Sequence, residues 1–538
     1  MKVQCLPFSQ VPHTTRLFSD FLNGAPQLRH FYPRSARFGE WFREVPSELS
    51  YSVQRREAVA TILERQNRSW NASAKVLENI QCFRSGADAV VTGQQVGLFG
   101  GPLFSVLKAL TAIKLAGQAT AAGVDCIPIF WLATEDHDLE EVNHVSFLGF
   151  NAALKTLATP TAGTPESPVG RLVFGPEIEP VLQEVFELLG ESEATALLRS
   201  SYGPGETFGS AFARLFARLF GDYGVILLDA SDPDFHRIAE PIYASAIERA
   251  RELDENVLAR DKELESAGYH RQVKVTPAST LLFAMEDGAR VAVHRRGNGK
   301  GDDFLIGDER LSRAELLKRI HDAPHNFSPN VLLRPVVQDF LLPTLAYTGG
   351  AAEVAYFAQA GVVYEKLLGR VTPIVPRLSV TIVDQKAASL LLRYNLNVTD
   401  VFHDRETLRE RLASETLPEE VQAAFDQAES SLEKSLQTVR GALAHLDKTL
   451  VDSAGNAGEK MHYQLKQLRA RAARAELRQT EVLGRHAQLL SHNLFPNRTL
   501  QEREIAGIYF IARFGMNFLG ELLDAMNTDC LDHQIVTL

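Results

Sequence analysis

The sequence predicts an α/β fold, in which a parallel-sheet core is followed by an antiparallel pair of long helices. Three observations support this prediction. Residues 88–132 alternate strand, glycine turn, helix and strand, residues 224–258 repeat a strand and a helix, and a heptad-like apolar pattern begins at Val421. The chain has 538 residues, of which 45% are hydrophobic. Because this length exceeds a single hydrophobic core, we expect two or three domains.

The composition disfavours several classes of protein. The formal net charge of -11 is spread along the chain, whereas nucleic-acid binding needs a clustered basic surface. No segment approaches the ~20 apolar residues of a membrane helix, and the N-terminus lacks the apolar stretch of a signal peptide. The cysteines form no CxxC pair and fit neither a disulfide framework nor a thiolate metal site; they are Cys5, Cys82, Cys126 and Cys530. We expect a cytoplasmic protein with no nucleic-acid, membrane or metal partner.

The first alternation is a βαβ unit. Asp88–Thr92 is a short apolar run stopped by glycine, as in a buried strand. Pro102–Ala116 has helical periodicity with proline near its start, and Cys126–Leu132 is a second buried-strand candidate. This order predicts a parallel sheet with a right-handed crossover.

The chain up to residue 380 continues with further predicted strands and helices. Gly224–Asp229 predicts another core strand, and Glu286–Gly288 predicts the turn of an antiparallel hairpin. We interpret residues 150–220 and 259–325 as insertions in a core domain that covers residues 1–380.

Residues 381–490 predict a helical coiled-coil domain. Apolar residues recur at mostly alternating spacings of three and four from Val421 to Leu450, and again from Met461 to Leu489. The intervening Ser453–Gly458 contains two glycines, so we expect the helix to break there and form an antiparallel hairpin. A seam of this length is expected to pair, which predicts a homodimer. Residues 491–538 are expected to return to the core.

The loop Thr92–Pro102 is the first candidate binding motif. Its four glycines let the backbone approach a ligand closely, and the following helix should direct free N–H groups at the ligand-binding edge of the sheet. The loop is neither GxGxxG nor a Walker sequence and contains no lysine. We expect its glutamine amides to orient a polar substrate; a purely structural turn is the alternative. The predicted substrate-binding residues are Thr92, Gly93, Gln94, Gln95, Gly97, Phe99 and Gly101.

The second motif follows the second strand. Carboxylates beside a histidine raise its pKa and fix its tautomer, which suits acid–base catalysis. The sequence predicts Asp136, His137 and Asp138 as catalytic residues, with Glu135 and Asn143 in substrate binding. A divalent-ion site and a capped helix start with solvated acids are the alternatives.

Two further stretches are candidates. Two glycines before a helix suggest an anion- or amine-recognising corner, with Tyr347, Gly349, Gly350 and Glu353 as substrate-binding residues; core packing is the alternative. Residues 495–503 place basic and amide groups just after the predicted coiled coil ends. They are candidates for phosphate binding, and packing of the helical hairpin onto the core is the alternative. The residues concerned are Asn497, Arg498, Gln501 and Arg503.

Five stretches together resemble the bacillithiol-biosynthesis cysteine-adding enzymes, the BshC family. They are VVTGQQVGLFGGPLFSVLKALTAIKLA at 90–116, PIFWLATEDHDLEEVNH at 128–144, SPNVLLRPVVQDFLLPTLAYTGGAAEVAYFAQ at 328–359, VPRLSVTIVD at 375–384 and FPNRTLQER at 495–503. One departure is Ala351, where a proline is expected after the paired glycines.

The resemblance implies a Rossmann-like core similar to that of class I aminoacyl-tRNA synthetases, with connecting-peptide insertions and a coiled coil that mediates dimerisation. It implies a ligase that joins the carboxyl group of cysteine to the amine of glucosaminyl-malate, with ATP as a candidate activator. It also implies an ADP site near the coiled coil and C-terminal segment, to which we assign the four residues of the last motif. A metal-dependent hydrolase or transferase at His137 and a non-catalytic nucleotide-binding scaffold are the alternatives.

Overall fold

The protein divides into two compact units in its computed structural model. The structure describes residues 1–538 except 161–162, 164–165, 298–302, 415–418, 448 and 478–480. The larger unit comprises Met1–Gly149, Lys155–Thr381 and Glu502–Val536, and the smaller unit comprises Phe150–Leu154, Ile382–Gln501 and Thr537–Leu538. The domain boundaries and insertions inferred from the sequence stay predictions.

Strands and helices of the described residues are numbered in chain order. The strands are β1 (Lys2–Leu6), β2 (Asp88–Gln94), β3 (Cys126–Leu132), β4 (His144–Leu148), β5 (Leu154–Ala158), β6 (Ile226–Asp229), β7 (Ser279–Glu286), β8 (Ala289–Arg296), β9 (Asp303–Ile306), β10 (Glu309–Ser312), β11 (Phe327–Pro329), β12 (Thr344–Gly349), β13 (Ile374–Pro376), β14 (Ser379–Val383) and β15 (His533–Thr537). The helices are α1 (Arg16–Leu22), α2 (Val53–Ser69), α3 (Ala74–Ser85), α4 (Leu103–Ala121), α5 (Leu139–Val142), α6 (Ile178–Leu189), α7 (Glu193–Ser201), α8 (Phe208–Phe220), α9 (Pro233–Glu248), α10 (Ala250–Ser266), α11 (Arg313–Asp322), α12 (Arg334–Leu341), α13 (Ala351–Leu368), α14 (Gln385–Arg393), α15 (Val398–Val401), α16 (Arg405–Ser414), α17 (Glu419–Leu446), α18 (Thr449–Leu477), α19 (Glu481–Leu494), α20 (Gln501–Glu504), α21 (Gly507–Phe514) and α22 (Phe518–Ala525).

A parallel sheet of order β13-β12-β2-β3-β6 is the centre of the larger unit. β2 pairs with β3 in register from Asp88 opposite Cys126 to Gln94 opposite Leu132, so the predicted βαβ unit is confirmed. β2 runs two residues beyond the predicted end at Thr92. Gly93 permits this, because a Cβ there would lie 3.1 Å from the backbone oxygen of Trp131 on β3. The ends of β2, β3 and β12 therefore meet at one edge of the sheet.

An antiparallel sheet of order β10-β9-β8-β7-β11 lies in the same unit. Its β7–β8 hairpin turns through Asp287 (φ 49°) and Gly288 (φ 84°). Two successive positive φ angles match the twist of a tight hairpin, so the hairpin turn predicted at Glu286–Gly288 is confirmed.

The two ends of the chain meet in a third sheet, of order β1-β15-β14. Cys5 on β1 forms a disulfide with Cys530, just before β15, over a sequence separation of 525 residues and a Cα–Cα distance of 6.4 Å. The prediction that the cysteines fit no disulfide is therefore wrong. Spacing could not show this pair, because the tertiary structure alone brings the two ends together. Cys82 and Cys126 are free.

The smaller unit contains an antiparallel helix pair, α17 and α18. The predicted break at Ser453–Gly458 is wrong, because α18 runs through it without interruption. The Asp447 carboxylate accepts hydrogen bonds from both the N–H and the hydroxyl of Thr449, the first residue of α18, at 2.8 Å. A Cβ on Gly458 would lie 2.9 Å from Leu436 Cδ1, so that glycine lets the helices approach rather than ending one.

Apolar side chains stay exposed along this helix pair, including Val439 at 49% and Leu468 at 55% exposure. The homodimer stays a prediction. Among the described residues, no helix is both long enough and apolar enough to cross a membrane.

Candidate functional site

A cavity of about 320 Å³ lies at the edge of the parallel sheet where β2, β3 and β12 end. The glycine loop after β2, the acidic run after β3 and the start of α13 after β12 all contribute to its wall, as expected for a parallel α/β sheet. Its lining includes the side chains of Gln94, Gln95, Phe104, Lys108, Asp136, Glu141, Arg334, Tyr347, Glu353, Tyr356, Arg377 and Arg503.

The paired glutamines form one continuous hydrogen-bond chain across the cavity wall. Lys108 Nζ donates to Gln94 Oε1 at 2.8 Å, and Gln94 Nε2 donates to Gln95 Oε1 at 3.3 Å. Gln95 Nε2 donates to one oxygen of Asp136 and one of Glu141, each at 2.8 Å. An ammonium has only donors and an ionised carboxylate only acceptors, so the two ends of the chain fix the orientation of both amides. The glutamines thus link a cation to a pair of carboxylates.

Lys108 supplies the lysine that the glycine loop itself lacks. It lies inside α4, and side chains on a helix lean toward its N-terminus. Its ammonium therefore returns to the loop, where it donates to the Gly93 carbonyl at 2.7 Å and forms an ion pair with Glu353 at 2.8 Å.

The carboxylate of Glu353 is held by donors on several sides. Besides Lys108, it accepts hydrogen bonds from the Tyr347 hydroxyl at 2.5 Å and the Gly350 N–H at 2.6 Å. Burial alone would raise the pKa of Glu353, but the Lys108 ammonium and these hydrogen bonds outweigh it, and the pKa lies below its ordinary value. Burial also lowers the pKa of Lys108. The contact at 2.8 Å keeps this a pair of opposite charges.

The other cations of the cavity differ in how they are neutralised. Arg377 is buried and forms an ion pair with Glu502 at 2.7 Å. Arg334 donates to the Tyr356 hydroxyl at 2.9 Å. Within the part of the chain that the structure describes, neither Arg334 nor Arg503 forms an ion pair with a carboxylate. The cavity therefore offers two cations to an anionic group of a ligand, and its wall also carries the carboxylates of Asp136 and Glu141, which suit an amine.

The remaining residues of the loop point elsewhere. The Thr92 hydroxyl donates to the Thr348 carbonyl at 2.8 Å inside the sheet, and Phe99 is fully buried in the core. Gly97 and Gly101 line a second, adjoining cavity. The expected free N–H groups at the start of α4 are also partly used, because the Leu103 N–H donates to the Ile505 carbonyl at 2.8 Å.

The acidic run separates its members. Asp136 lines the cavity, and its second oxygen accepts the His137 N–H at 2.7 Å. The cavity lining does not include the His137 imidazole. Its Nε2 lies 2.9 Å from Glu166 and its Nδ1 lies 3.3 Å from an Arg290 nitrogen. Of the three predicted catalytic side chains, Asp136 is the one in the cavity lining.

The other members of this run have structural contacts. Asp138 caps α5, where its carboxylate accepts the Glu141 N–H at 3.2 Å. Glu135 lies 3.2 Å from Nε2 of the buried His236. Asn143 contacts the imidazole of the next residue at 3.2 Å. Their predicted roles in catalysis and substrate binding stay predictions, and the cavity lining includes none of these three side chains.

The corner after β12 comes together as a unit. Tyr347, Gly350 and Glu353 line the cavity. Gly349 leaves space for Glu353, since a Cβ there would lie 2.8 Å from the Glu353 Cβ. α13 begins at Ala351, so the residue that departs from the expected proline starts the helix without disturbing this corner.

The four residues predicted for nucleotide binding are spread over different environments. Gln501 is fully buried, and its amide is engaged by the backbone N–H and carbonyl of Ile382 at 2.7 and 2.9 Å. Asn497 and Arg498 have positive φ angles of 49° and 62° in the turn after α19. Arg503 lies in the larger unit and lines its cavity.

Sequence reasoning missed several residues of the cavity. Lys108, Glu141 and Arg377 were not proposed, although each lies in a stretch that carries the family resemblance. Lys108 could have been recognised from its position in a largely apolar helix, because a buried lysine needs a partner. The structure groups no three His, Cys, Asp or Glu side chains as a metal site among the residues it describes.

Comparison with known proteins identifies the family. Residues 1–378 match the model of the bacillithiol biosynthesis BshC N-terminal Rossmann-like domain, and residues 380–538 match that of the BshC C-terminal coiled-coil domain. Relatives named "Putative cysteine ligase BshC" include one from Koribacter versatilis, 47% identical over 99% of both chains, and one from Solibacter usitatus, 36% identical over 100% of both chains. A solved chain titled as a "putative arginyl t-RNA synthetase" from Campylobacter jejuni aligns over 82% of this chain and 93% of its own at 11% identity, but its TM-score of 0.24 supports no inference. The chain therefore belongs to the BshC family of bacillithiol biosynthesis, with a Rossmann-like domain and a coiled-coil domain.

Proposed function

We propose that this chain is a ligase that joins the carboxyl carbon of cysteine to the amine of glucosaminyl-malate, giving bacillithiol. The names of its full-length relatives support a cysteine ligase. The observation that carries the proposal is the charge arrangement of the cavity. Arg334 and Arg503 can receive a carboxylate, and Gln95 holds Asp136 and Glu141 where an amine can bind.

The two arginines match the carboxylate of cysteine, and the carboxylates held by Gln95 match the amine of the second substrate. A cavity lined by both charges favours a pair of ligand groups of opposite charge. The amine of the second substrate must lose a proton before it attacks a carbonyl carbon. Asp136 is the proton acceptor in this proposal, because its carboxylate lines the cavity and Gln95 fixes its orientation.

A carboxylate does not form an amide in water without activation, so the proposal includes ATP. Transfer of AMP to the cysteine carboxylate releases pyrophosphate, and attack of the amine on the carbonyl carbon then releases AMP. This requirement rests on the chemistry of amide formation alone. The nucleotide site assigned to residues 497–503 stays a prediction, and within it Gln501 uses its amide within the fold.

The test is to incubate the purified chain with cysteine, glucosaminyl-malate and ATP, and to measure the thiol product and AMP by mass spectrometry. We expect product and AMP in equal amounts, and loss of both in Asp136→Asn. Absence of product from folded protein would contradict the ligase. Product without any nucleotide would contradict activation by ATP, and ADP in place of AMP would contradict the adenylate.

The two alternative functions have their own tests. Loss of activity with a chelator, recovered by a divalent metal, would support a metal-dependent enzyme. An unchanged yield of thiol in cells that carry Asp136→Asn would support a non-catalytic scaffold.

A further inference from the structure

A second cavity, of about 230 Å³, lies beside the first. The two share part of their wall, because Gln94, Gln95, Phe104, Glu141 and Arg503 line both. Gly97 and Gly101 bring backbone to the second cavity, so the glycine loop borders it as well. A reaction that joins two substrates needs their reacting atoms within about 3.5 Å of each other, and cavities that share lining residues can hold two ligands side by side.

Ser105 marks the second cavity as a site for a polar ligand. Its side chain lines this cavity and is 1% exposed, and its hydroxyl has no hydrogen-bond partner among the described residues. A buried hydroxyl without a partner costs free energy, and such groups in folded proteins call for an explanation. A hydrogen bond to a ligand hydroxyl would satisfy it.

The charges of the second cavity differ from those of the first. Its lining contains the carboxylates of Glu141 and Glu504 and a single arginine, Arg503, whereas the first cavity contains three arginines and a lysine. Glu504 accepts the Ser146 hydroxyl at 2.8 Å. Carboxylates, amides and hydroxyls beside an aromatic ring suit a molecule with several hydroxyls and an amine.

Two N–H groups at the start of α4 are used within the protein. The Leu103 N–H donates to the Ile505 carbonyl at 2.8 Å, and the Ser105 N–H donates to the Pro102 carbonyl at 2.9 Å. With these donors used, the hydroxyl of Ser105 and the side chains around it determine what binds.

We propose that the second cavity binds the amino-sugar part of the amine substrate, and that the first cavity binds the amino acid. This inference rests on the proposed function. Ser105 would bond a sugar hydroxyl, Phe104 would pack on the ring, and Glu141 on the shared wall would hold the sugar amine facing the first cavity. The amine nitrogen would then attack the activated carbonyl carbon where the two cavities meet beside Glu141, and AMP would leave.

Calorimetric titration of the full chain tests this assignment with two separate probes, methyl α-D-glucosaminide and cysteine. Ser105→Val removes the hydroxyl and fills part of the second cavity. We expect it to weaken glucosaminide binding by about tenfold or more, because one hydrogen bond is lost and the valine crowds the ligand. Cysteine binding should not change. Arg334→Gln, in the first cavity only, is the matched control and should weaken cysteine alone.

Two further measurements complete the experiment: the melting temperature, and binding of an uncharged sugar probe. Ser105→Ala should melt at or above the wild-type temperature, because the hydroxyl it removes has no partner in the protein, and it should still weaken glucosaminide binding. Glu141→Gln should weaken the glucosaminide more than its N-acetyl derivative, which carries no charge.

The outcomes separate this inference from the proposed function. If glucosaminide does not bind, or binds equally to wild type and to Ser105→Val, the inference is overturned even when wild type makes product. If Ser105→Val abolishes glucosaminide binding while wild type makes no thiol product, the cavity assignment stands and the proposed reaction fails. If Arg334→Gln weakens both probes equally, two separate compartments are excluded.

Discussion

The loop after β2 and the acidic run after β3 end neighbouring strands of one sheet, yet they use their residues differently. In the loop, the adjacent Gln94 and Gln95 both reach the cavity and bond to each other. In the run, Asp136 lines the cavity while the next imidazole, that of His137, lies against other partners. The loop therefore places both of its glutamines in the cavity, whereas the acidic run places one carboxylate there.

The difference comes from the local backbone. β2 continues in register with β3 through Gln94, so the strand carries its glutamine to the cavity before the chain turns. After β3 the chain turns at once, and the Asp136 N–H donates to the Ala133 carbonyl at 3.4 Å. The Asp136 carboxylate then accepts the N–H of His137, a type of bond that favours turns. Adjacent side chains of a strand point to opposite faces, so Gln94 and Gln95 meet because β2 ends at Gln94.

The largest expected effect is a loss of stability when the buried Lys108–Glu353 ion pair, which anchors the glutamines of the loop, is broken. Lys108→Met should lower the free energy of unfolding by about 3–5 kcal/mol, because it leaves a buried carboxylate without its cation. Urea denaturation measures this change. Lys155→Met, which breaks the exposed Lys155–Glu184 pair, is the control and should cost less than about 1 kcal/mol. Equal costs for the two variants would contradict the buried pair.

The second largest effect is expected on kcat, which should depend on Asp136 and not on Asp138. Asp136→Asn should lower kcat for thiol formation by about 100-fold or more, the usual contribution of a proton acceptor. Asp138→Asn should keep kcat near that of wild type, since Asp138 caps a helix instead. A larger loss in Asp138→Asn would reverse the assignment of the two residues.

The glutamine chain gives a smaller effect. Gln95→Leu keeps the size of the side chain but releases both Asp136 and Glu141, so we expect kcat/KM to fall about 10- to 100-fold through loss of orientation. Gln183→Leu is a suitable control, because Gln183 is exposed on α6 and donates to the exposed Glu187. If Gln95→Leu reacts at the wild-type rate, the hydrogen-bond chain has no role in the reaction.

The helix cap on the run should affect stability without affecting the reaction. Asp138→Ala removes the acceptor for the Glu141 N–H, and we expect a loss of about 1 kcal/mol in unfolding free energy. Thermal denaturation and initial rates, measured on one preparation, check both parts. A loss of rate without a loss of stability would move Asp138 from capping to catalysis.

The smallest effect is expected for the histidine. His137→Ala should react within about threefold of wild type, a change below about 0.7 kcal/mol in activation free energy, because the cavity lining does not include its imidazole. Steady-state kinetics for cysteine and for the amine substrate provide the measurement. A loss of two orders of magnitude would restore His137 as a catalytic residue.

Local sequence was informative where the chain is regular. Short apolar runs with glycine at their ends indicated β2 and β3, and residues placed just after such strands, such as Gln94 and Asp136, do line the cavity. It was misleading for glycines in helices. Gly458 reads as a turn signal, but it lies in α18 opposite Leu436, because close helix packing and a chain turn both favour a residue without Cβ.

The sequence by itself determined the βαβ unit, the helical hairpin and the family, since these depend on periodicity and on motifs within a few tens of residues. Tertiary structure decided which side chains meet. Lys108 reaches Glu353 across 245 positions of sequence, and Cys5 reaches Cys530 across 525. Contacts of this kind depend on how sheet edges and helices pack, and no local pattern records them. The tertiary structure also decided that Gln94 and Gln95 bond to each other in the cavity while His137 lies against Glu166 and Arg290.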